Sequence, residues 1–420
     1  MSTHRADVVV VGAGHAGVQL AVALATSAGP RGVLLLGAES GLPYERPPLT
    51  KKLLVGSDQP VPVPLRSAAY WDRSPVTLRT GTRVVSVDPD ARTVGTDAGE
   101  TIGYRDLVWA TGGRAARCGL PGEDLRGVHS IRDLADLTAL RRQLAGGAAA
   151  RAVVVGGGYV GLEVAAGLRQ LGLAVTLVEV APRLLARVTG TVVSAAFTAL
   201  HRRRGVDVRL GTAVTRLRAD GDRVAGVVLA DGTELAADVV VVGVGMRPEV
   251  DALLAAGARG DTGGVDVDEQ CRTSLPGVLA VGDCARQANP WSATGAAMRV
   301  ESVHNAGLHA AAAARALTGR LPAGPVPPRF WSTQYGVELR TVGLSAGDDE
   351  QVLRGDPATG SFSVAYLRGG RLAALDTVDR PRDFARGQAL VAAAWQPTRA
   401  ELIDPDTDLP RLQPAGTSVT

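Results

Sequence analysis

The chain has 420 residues, which at roughly 150 residues per domain suggests two or three domains with ample cores. A formal charge of +3 is too mild for a nucleic-acid binder, and no basic tract extends beyond His201-Arg202-Arg203-Arg204. No apolar run reaches the roughly 18 residues of a membrane helix, and Cys118, Cys271 and Cys284 are too scattered for a disulfide framework or a zinc site, so they read as buried small hydrophobes.

With 52 glycines and only 4% aromatic residues, the composition fits an α/β protein whose backbone approaches ligands closely. Asp7 to Val11 predicts a first buried strand rather than a signal peptide, because it runs straight into Gly12-Ala13-Gly14-His15-Ala16-Gly17, and this places the protein in the cytoplasm. A helix pattern from Val18 to Ala25 follows. Strand, G-x-G-x-x-G and helix in this order are the context of a dinucleotide-binding turn. Gly12 permits the tight turn, Gly14 brings the backbone to a pyrophosphate, and Gly17 lets helix and strand pack. The free N–H groups of the helix start then face the phosphates. A second strand, Val33 to Leu36, leads to Glu39, a carboxylate about 20 residues on that suits a ribose hydroxyl.

Tyr44 to Lys52 holds both lysines, Lys51 and Lys52, of a chain otherwise supplied with arginine. Pro47-Pro48 excludes a strand interior and suits the first turn of a helix over Leu49 to Leu54, with Lys51 near its start. A solvated basic turn is the alternative reading of this stretch. Leu107 to Gly113 predicts a strand closing on the turn Ala110-Thr111-Gly112.

The nucleotide signature then returns. Ala152 to Val155 leads into Gly156-Gly157-Gly158-Tyr159-Val160-Gly161, a helix over Leu162 to Leu171, and a strand from Ala174 to Val178 that ends at Glu179. Two dinucleotide sites imply two dinucleotides, and the usual pairing is a bound flavin with a diffusible nicotinamide. Val239 to Gly245 echoes the Leu107 to Gly113 strand and turn, and Val278-Leu279-Ala280-Val281-Gly282-Asp283-Cys284 closes the series, so the second nucleotide unit reads as inserted into the first. Leu321 to Pro328 is a Pro-rich linker, followed by the aromatic segment Phe330 to Tyr335, strands at Phe362 to Leu367 and Leu372 to Leu375, and a helix around Phe384 to Trp395.

These motifs, with Arg299-Val300-Glu301-Ser302-Val303-His304-Asn305, Phe330 to Tyr335 and Leu375-Asp376-Thr377-Val378-Asp379-Arg380-Pro381, give a chain that resembles the FAD-dependent pyridine-nucleotide ferredoxin reductases over essentially its whole length. The resemblance implies an α/β fold of two nested, glutathione-reductase-like Rossmann domains with an α+β C-terminal domain. Residues 1–112 and 240–322 would form the FAD-binding domain, 113–239 the NAD-binding domain, and 328–420 the C-terminal domain.

For FAD the resemblance implies pyrophosphate contacts from Gly12, Gly14, His15, Ala16 and Gly17, adenosine contacts from Glu39 and Val84, and further contacts from Arg46, Lys51, Ala110 and Arg132. The turns at Thr111, Gly112, Gly245 and Gly282 would also bind cofactor. Many relatives carry an acid where this chain has Ala38, and Glu39 would cover that role. Asp283 would accept a ribityl hydroxyl, and Val303, at the start of a helix over Ser302 to Ala314, would face the flavin pyrimidine edge; an ordinary serine-capped helix is the alternative. For NADH the contacts are Gly156, Gly158, Gly161 and Glu179, whose charge would repel the 2'-phosphate of NADPH. Tyr159 is either a lid over the nicotinamide or packing. Glu163 would pair with Lys51 across the domain interface, beside the flavin, where it otherwise reads as a first-turn acid on the helix dipole. Trp331 would stack near the flavin on the electron route. The family commonly has an acid at Thr333, so that role is missing here.

A disulfide reductase of this fold needs a cysteine pair facing the flavin, and the peroxide or CoA-disulfide branch needs one cysteine there; Glu39 to Leu54 contains none. The implied reaction is hydride transfer from NADH to FAD, then single electrons to a small acidic [2Fe-2S] ferredoxin that docks transiently and feeds a cytochrome P450 or a Rieske-type oxygenase. A monomer with no resident metal and no membrane or nucleic-acid partner is expected. The alternatives are an NADH oxidase or rubredoxin reductase on the same scaffold, and a non-catalytic redox-sensing flavoprotein of the apoptosis-inducing-factor type.

Overall fold

Val8 to Val11 presents no polar face and is buried on both sides. Val8 and Val10 enter one hydrophobic cluster and Val9 and Val11 another, the alternation of a strand at the centre of a covered sheet. A computed structural model describes residues 4–27, 32–56, 60–147 and 149–411. The chain divides into two compact units: Met1–Glu45 with Val63–Arg114 and Met246–Pro328, and Arg46–Pro62 with Ala115–Gly245 and Arg329–Thr420. Among the described residues no helix is long and apolar enough to cross a membrane.

In the first unit, Val76–Arg79, Val33–Leu36, His4–Val11 and Thr101–Trp109 lie side by side in parallel, with Val11 in register with Leu36 on one side and Trp109 on the other. Val278–Ala280 pairs in parallel with Leu107 to Trp109, and Thr93–Thr96 and Val84–Asp88 extend the sheet antiparallel. Helices His15–Thr26 and Val303–Leu317 approach closely because small residues face each other: Ala306, Ala310 and Ala313 share a buried cluster with Leu20, Ala21 and Leu24.

The second unit holds a parallel sheet in the order Val206–Leu210, Ala174–Glu179, Arg151–Val155, Val239–Val242, Val128–His129. Helix Tyr159–Gln170 follows its central strand. The same unit contains an antiparallel sheet of Arg329–Gln334, Val337–Gly343, Arg371–Val378, Ser361–Arg368 and Glu350–Asp356, with helix Pro381–Ala392 after it. The buried Arg354 ties the segment around Leu402 and Thr407 to this sheet: it pairs with Asp383 at 3.0 Å and donates to the carbonyls of Leu402 and Thr407.

Three local expectations are revised. The helix expected over Leu49 to Leu54 is a 3-10 turn, Pro47–Thr50, and a short helix, Lys52–Val55, joined at Lys51 with φ −122° and ψ −115°. Consecutive residues of an unbroken helix point about 100° apart, and the break lets Thr50 and Lys51 both reach Glu163. The Arg46–Pro62 segment groups with the second unit, because Leu54 packs against Gly167 and Arg141 donates to the carbonyls of Leu53 and Gly56 at 2.9 and 2.5 Å. Cys118 is only half-buried, with its thiol against Glu123, whereas Cys271 and Cys284 are buried.

Candidate active site

The two glycine turns repeat each other closely. Gly12 has φ +109° and Gly156 φ +110°, a region that L side chains rarely enter. A Cβ on Gly17 would lie 1.9 Å from the Gly12 carbonyl, and one on Gly161 equally close to that of Gly156, so the fold itself demands these glycines. Gly14 and Gly158 differ. Each is extended, with φ −83° and −82°, each precedes a helix with no side-chain cap, and a Cβ on either would meet no atom within 4 Å. Protein packing therefore does not require glycine at these two positions. The open space above an uncapped helix start, where backbone N–H groups point outward, fits a dinucleotide pyrophosphate.

Around the first turn, the Ala110 carbonyl backs Gly12, Gly282 lies against Ala16, and Thr111 Oγ1 donates to the Glu249 carbonyl at 2.7 Å. Gly112 has φ +62°. His15 and Ala16 open the first-turn helix, and Val84, half-buried, begins its strand. Glu39 accepts a hydrogen bond from the Tyr44 hydroxyl at 2.6 Å, which orients its carboxylate. Asp283 stands on a 3-10 turn, Gly282–Cys284, and Val303 is the first residue of its helix. The serine cap of that helix is present: Ser302 Oγ accepts from the Asn305 amide at 3.0 Å.

His309 was not anticipated. Its Nδ1 accepts from the Gly282 N–H at 3.2 Å, and burial pushes its pKa down to about 4, so at neutral pH it is the neutral acceptor that this contact needs. It braces the turn that presents Asp283. Its position one helix away in sequence, inside an Ala-rich run, gave no periodic signal.

In the second unit, Lys51 Nζ lies 2.7 Å from Glu163 Oε2 and 3.2 Å from the Pro47 carbonyl. Glu163 is 6% exposed and accepts two further bonds, from Thr50 Oγ1 on Oε2 and from Ser332 Oγ on Oε1 at 2.6 Å. A buried carboxylate is tolerated only with such partners. Both members of the ion pair belong to this unit. Arg46 Nη1 donates to the Arg132 carbonyl at 2.8 Å, which brings those two residues together.

Glu179 caps the second turn, accepting from the amides of Gly157 at 2.5 Å and Ala181 at 2.7 Å. Arg183, the one basic residue near it in sequence, donates to the carbonyls of Thr189 and Ala186 at 2.7 and 2.9 Å. Gly245, with φ +118°, accepts from the Ala116 amide at 2.9 Å.

The Tyr159 hydroxyl is buried, and burial, then the Asp376 carboxylate, push its pKa up. Asp376 is itself buried and accepts from the hydroxyls of Thr189, Thr341 and Tyr366; burial raises its pKa. Packing is thus part of the Tyr159 role. Strand Arg329–Gln334 alternates, with Ser332 and Gln334 buried and Trp331 39% exposed on the opposite face. Ser332 lies in the aromatic segment whose polar, inward positions the sequence reading passed over.

Two repeated glycine turns at uncapped helix starts and a buried lysine–carboxylate pair fit a dinucleotide-dependent oxidoreductase. Comparisons agree: residues 6–310 match the pyridine nucleotide-disulphide oxidoreductase family and residues 329–413 the reductase C-terminal family. The chain is 44% identical to a ferredoxin–NAD(P)+ reductase of a Sphingomonas species, covering 94% of each chain. It is 39% identical to putidaredoxin reductase of Pseudomonas putida, covering 92% of this chain and 91% of that one. The crystal structure of the covalent putidaredoxin reductase–putidaredoxin complex superposes with a TM-score of 0.89 at 37% identity, over 94% of this chain and 95% of that one. The chain belongs to the pyridine nucleotide-disulphide oxidoreductase family, among its ferredoxin reductases, enzymes that use FAD and NAD(H).

Proposed function

We propose that the chain takes hydride from NADH at FAD and delivers single electrons to a [2Fe-2S] ferredoxin that supplies a cytochrome P450 or Rieske-type oxygenase. The observation that carries this reading is the segment Glu39 to Leu54, which sets Lys51 on Glu163 and holds no cysteine. Nor do the cysteines elsewhere offer a thiolate. Burial pushes the Cys118 and Cys284 thiols up to about 11 and Cys271 higher still.

In this reading Gly12 to Gly17, Glu39, Val84, Ala110, Asp283 and Val303 hold FAD together with Arg46, Lys51 and Arg132. Gly156 to Gly161 and Glu179 hold NADH. FAD, when bound, supplies the conversion of a two-electron hydride into single electrons. The chain's own groups bind, orient and polarise. Glu163 fixes the Lys51 ammonium at one place. The positive end of the helix beginning at Val303 favours negative charge on its ligand. Exposed Trp331 offers an aromatic surface on the electron route.

Glu179 sets the nicotinamide preference. Its carboxylate is fixed by two amides, and Arg183 is committed to backbone carbonyls, so a 2'-phosphate would meet negative charge with Arg183 already engaged. We expect kcat/KM for NADH to exceed that for NADPH by about 100-fold or more; equal values would refute the assignment. The assay that tests the function is NADH oxidation with a panel of ferredoxins coupled to cytochrome c. A ferredoxin-dependent rate well above turnover on oxygen or rubredoxin is expected, and it should fall with added salt if the partner is acidic. Oxygen turnover that ferredoxin leaves unchanged would favour an oxidase.

A further inference from the structure

Glu163 is the end of a buried chain of polar side chains. Ser332 Oγ lies 2.6 Å from Glu163 Oε1, Gln334 Nε2 lies 3.1 Å from Ser332 Oγ, and His201 Nε2 lies 2.8 Å from Gln334 Oε1. Ser332, Gln334 and His201 are all buried, and all lie in the unit that contains Glu163 and Lys51. His201 had read as the start of a basic tract, but only Arg202 to Arg204 are exposed.

The chemistry of these groups fixes the direction of every bond. A carboxylate only accepts, so Ser332 donates to Glu163. The Gln334 amide nitrogen only donates, so it gives its hydrogen to Ser332, and its carbonyl oxygen accepts from His201 Nε2–H. Every donor therefore points toward Glu163, and each bond polarises the next in the same direction. Among the described residues His201 Nδ1 has no hydrogen-bond partner, which a neutral ring tolerates better than an imidazolium would, and burial lowers its pKa accordingly.

We infer that His201, Gln334 and Ser332 are positioning residues that hold the Glu163 carboxylate turned toward Lys51, and so set the rate of hydride transfer. This rests on the reading of Lys51 and Glu163 given above. The ionisable groups that face Glu163 are Lys51 and the Tyr159 phenol; those around His201 are the Tyr335 ring at 5.2 Å and Arg204, which lies over that ring.

The test uses flavin-loaded protein, with Ser332→Ala to remove the donor, Ser332→Thr to keep it, and Gln334→Met to remove the Gln334 donor without adding charge. Two quantities are followed: the isotope-edited infrared carboxylate band of Glu163, assigned with Glu163→Gln, and the rate of flavin reduction by NADH in stopped-flow. In Ser332→Ala and Gln334→Met the band should shift from its parental frequency. The rate should fall about tenfold, while Ser332→Thr should match the parent in both. A band unchanged in both donor-loss variants overturns the inference, as does a parental rate in both. Should Ser332→Ala not fold, Gln334→Met decides alone. If Glu163→Gln reduces at the parental rate, the role of the pair in hydride transfer fails, and the infrared band still decides whether the chain positions Glu163.

Discussion

Alanine at Gly14 or Gly158 should each cost one cofactor and leave the fold intact. At both positions a Cβ meets no protein atom within 4 Å, so the apoprotein has room for it and its thermal midpoint should stay within the scatter of neutral substitutions. The same methyl group stands where a pyrophosphate must approach the backbone, and the lost approach removes the amide contacts that the uncapped helix start provides. Gly14→Ala should purify largely free of flavin, with FAD affinity lowered by about 100-fold or more. Gly158→Ala should retain its flavin and lose NADH affinity to a similar extent. Gly17→Ala and Gly161→Ala are the contrast, because a Cβ at 1.9 Å from a carbonyl oxygen must displace the turn itself and should lower the midpoint of both variants. Flavin content, NADH titration and thermal scans of the four proteins separate ligand contact from packing. Full flavin occupancy in Gly14→Ala would remove the cradle assignment.

Glu163→Gln should slow flavin reduction by about 100-fold while NADH still binds. Three donors, Lys51, Thr50 and Ser332, converge on two carboxylate oxygens. Glutamine offers one acceptor, so its amide nitrogen must face a donor whichever way it is turned, and the Lys51 ammonium loses its counter-charge. The ammonium is then free to move from the position where the pair holds it. Stopped-flow at saturating NADH reads this step directly, and an unchanged rate would reject the role of the pair.

Much of the nucleotide-binding framework was legible because it rests on short-range rules. Val8 to Val11 and Val239 to Val242 read as buried strands because a run without polar residues has no other place in an α/β fold, and the glycine spacing located both turns. Lys51 stood out as half of the chain's lysine, and its partner was reachable through the family resemblance. The break at Lys51 was not legible, since it depends on Thr50 and Lys51 competing for one carboxylate more than a hundred positions away. The same holds for His201, Gln334 and Ser332, which belong to segments far apart in sequence and meet only after the sheet containing Arg329–Gln334 has formed. Asp376 reads as part of a recognisable string, and only the folded structure shows it to be a buried acid satisfied by three hydroxyls.

The central claim is that electrons entering as a hydride pair leave one at a time to an iron–sulfur protein. Anaerobic mixing of the NADH-reduced protein with excess oxidised [2Fe-2S] ferredoxin tests it most directly, with flavin and cluster absorbance followed together. The account predicts two ferredoxins reduced for each flavin reoxidised, at a rate sufficient for steady-state turnover. Flavin that stays reduced until oxygen is admitted, with every ferredoxin of the panel left oxidised, would contradict it.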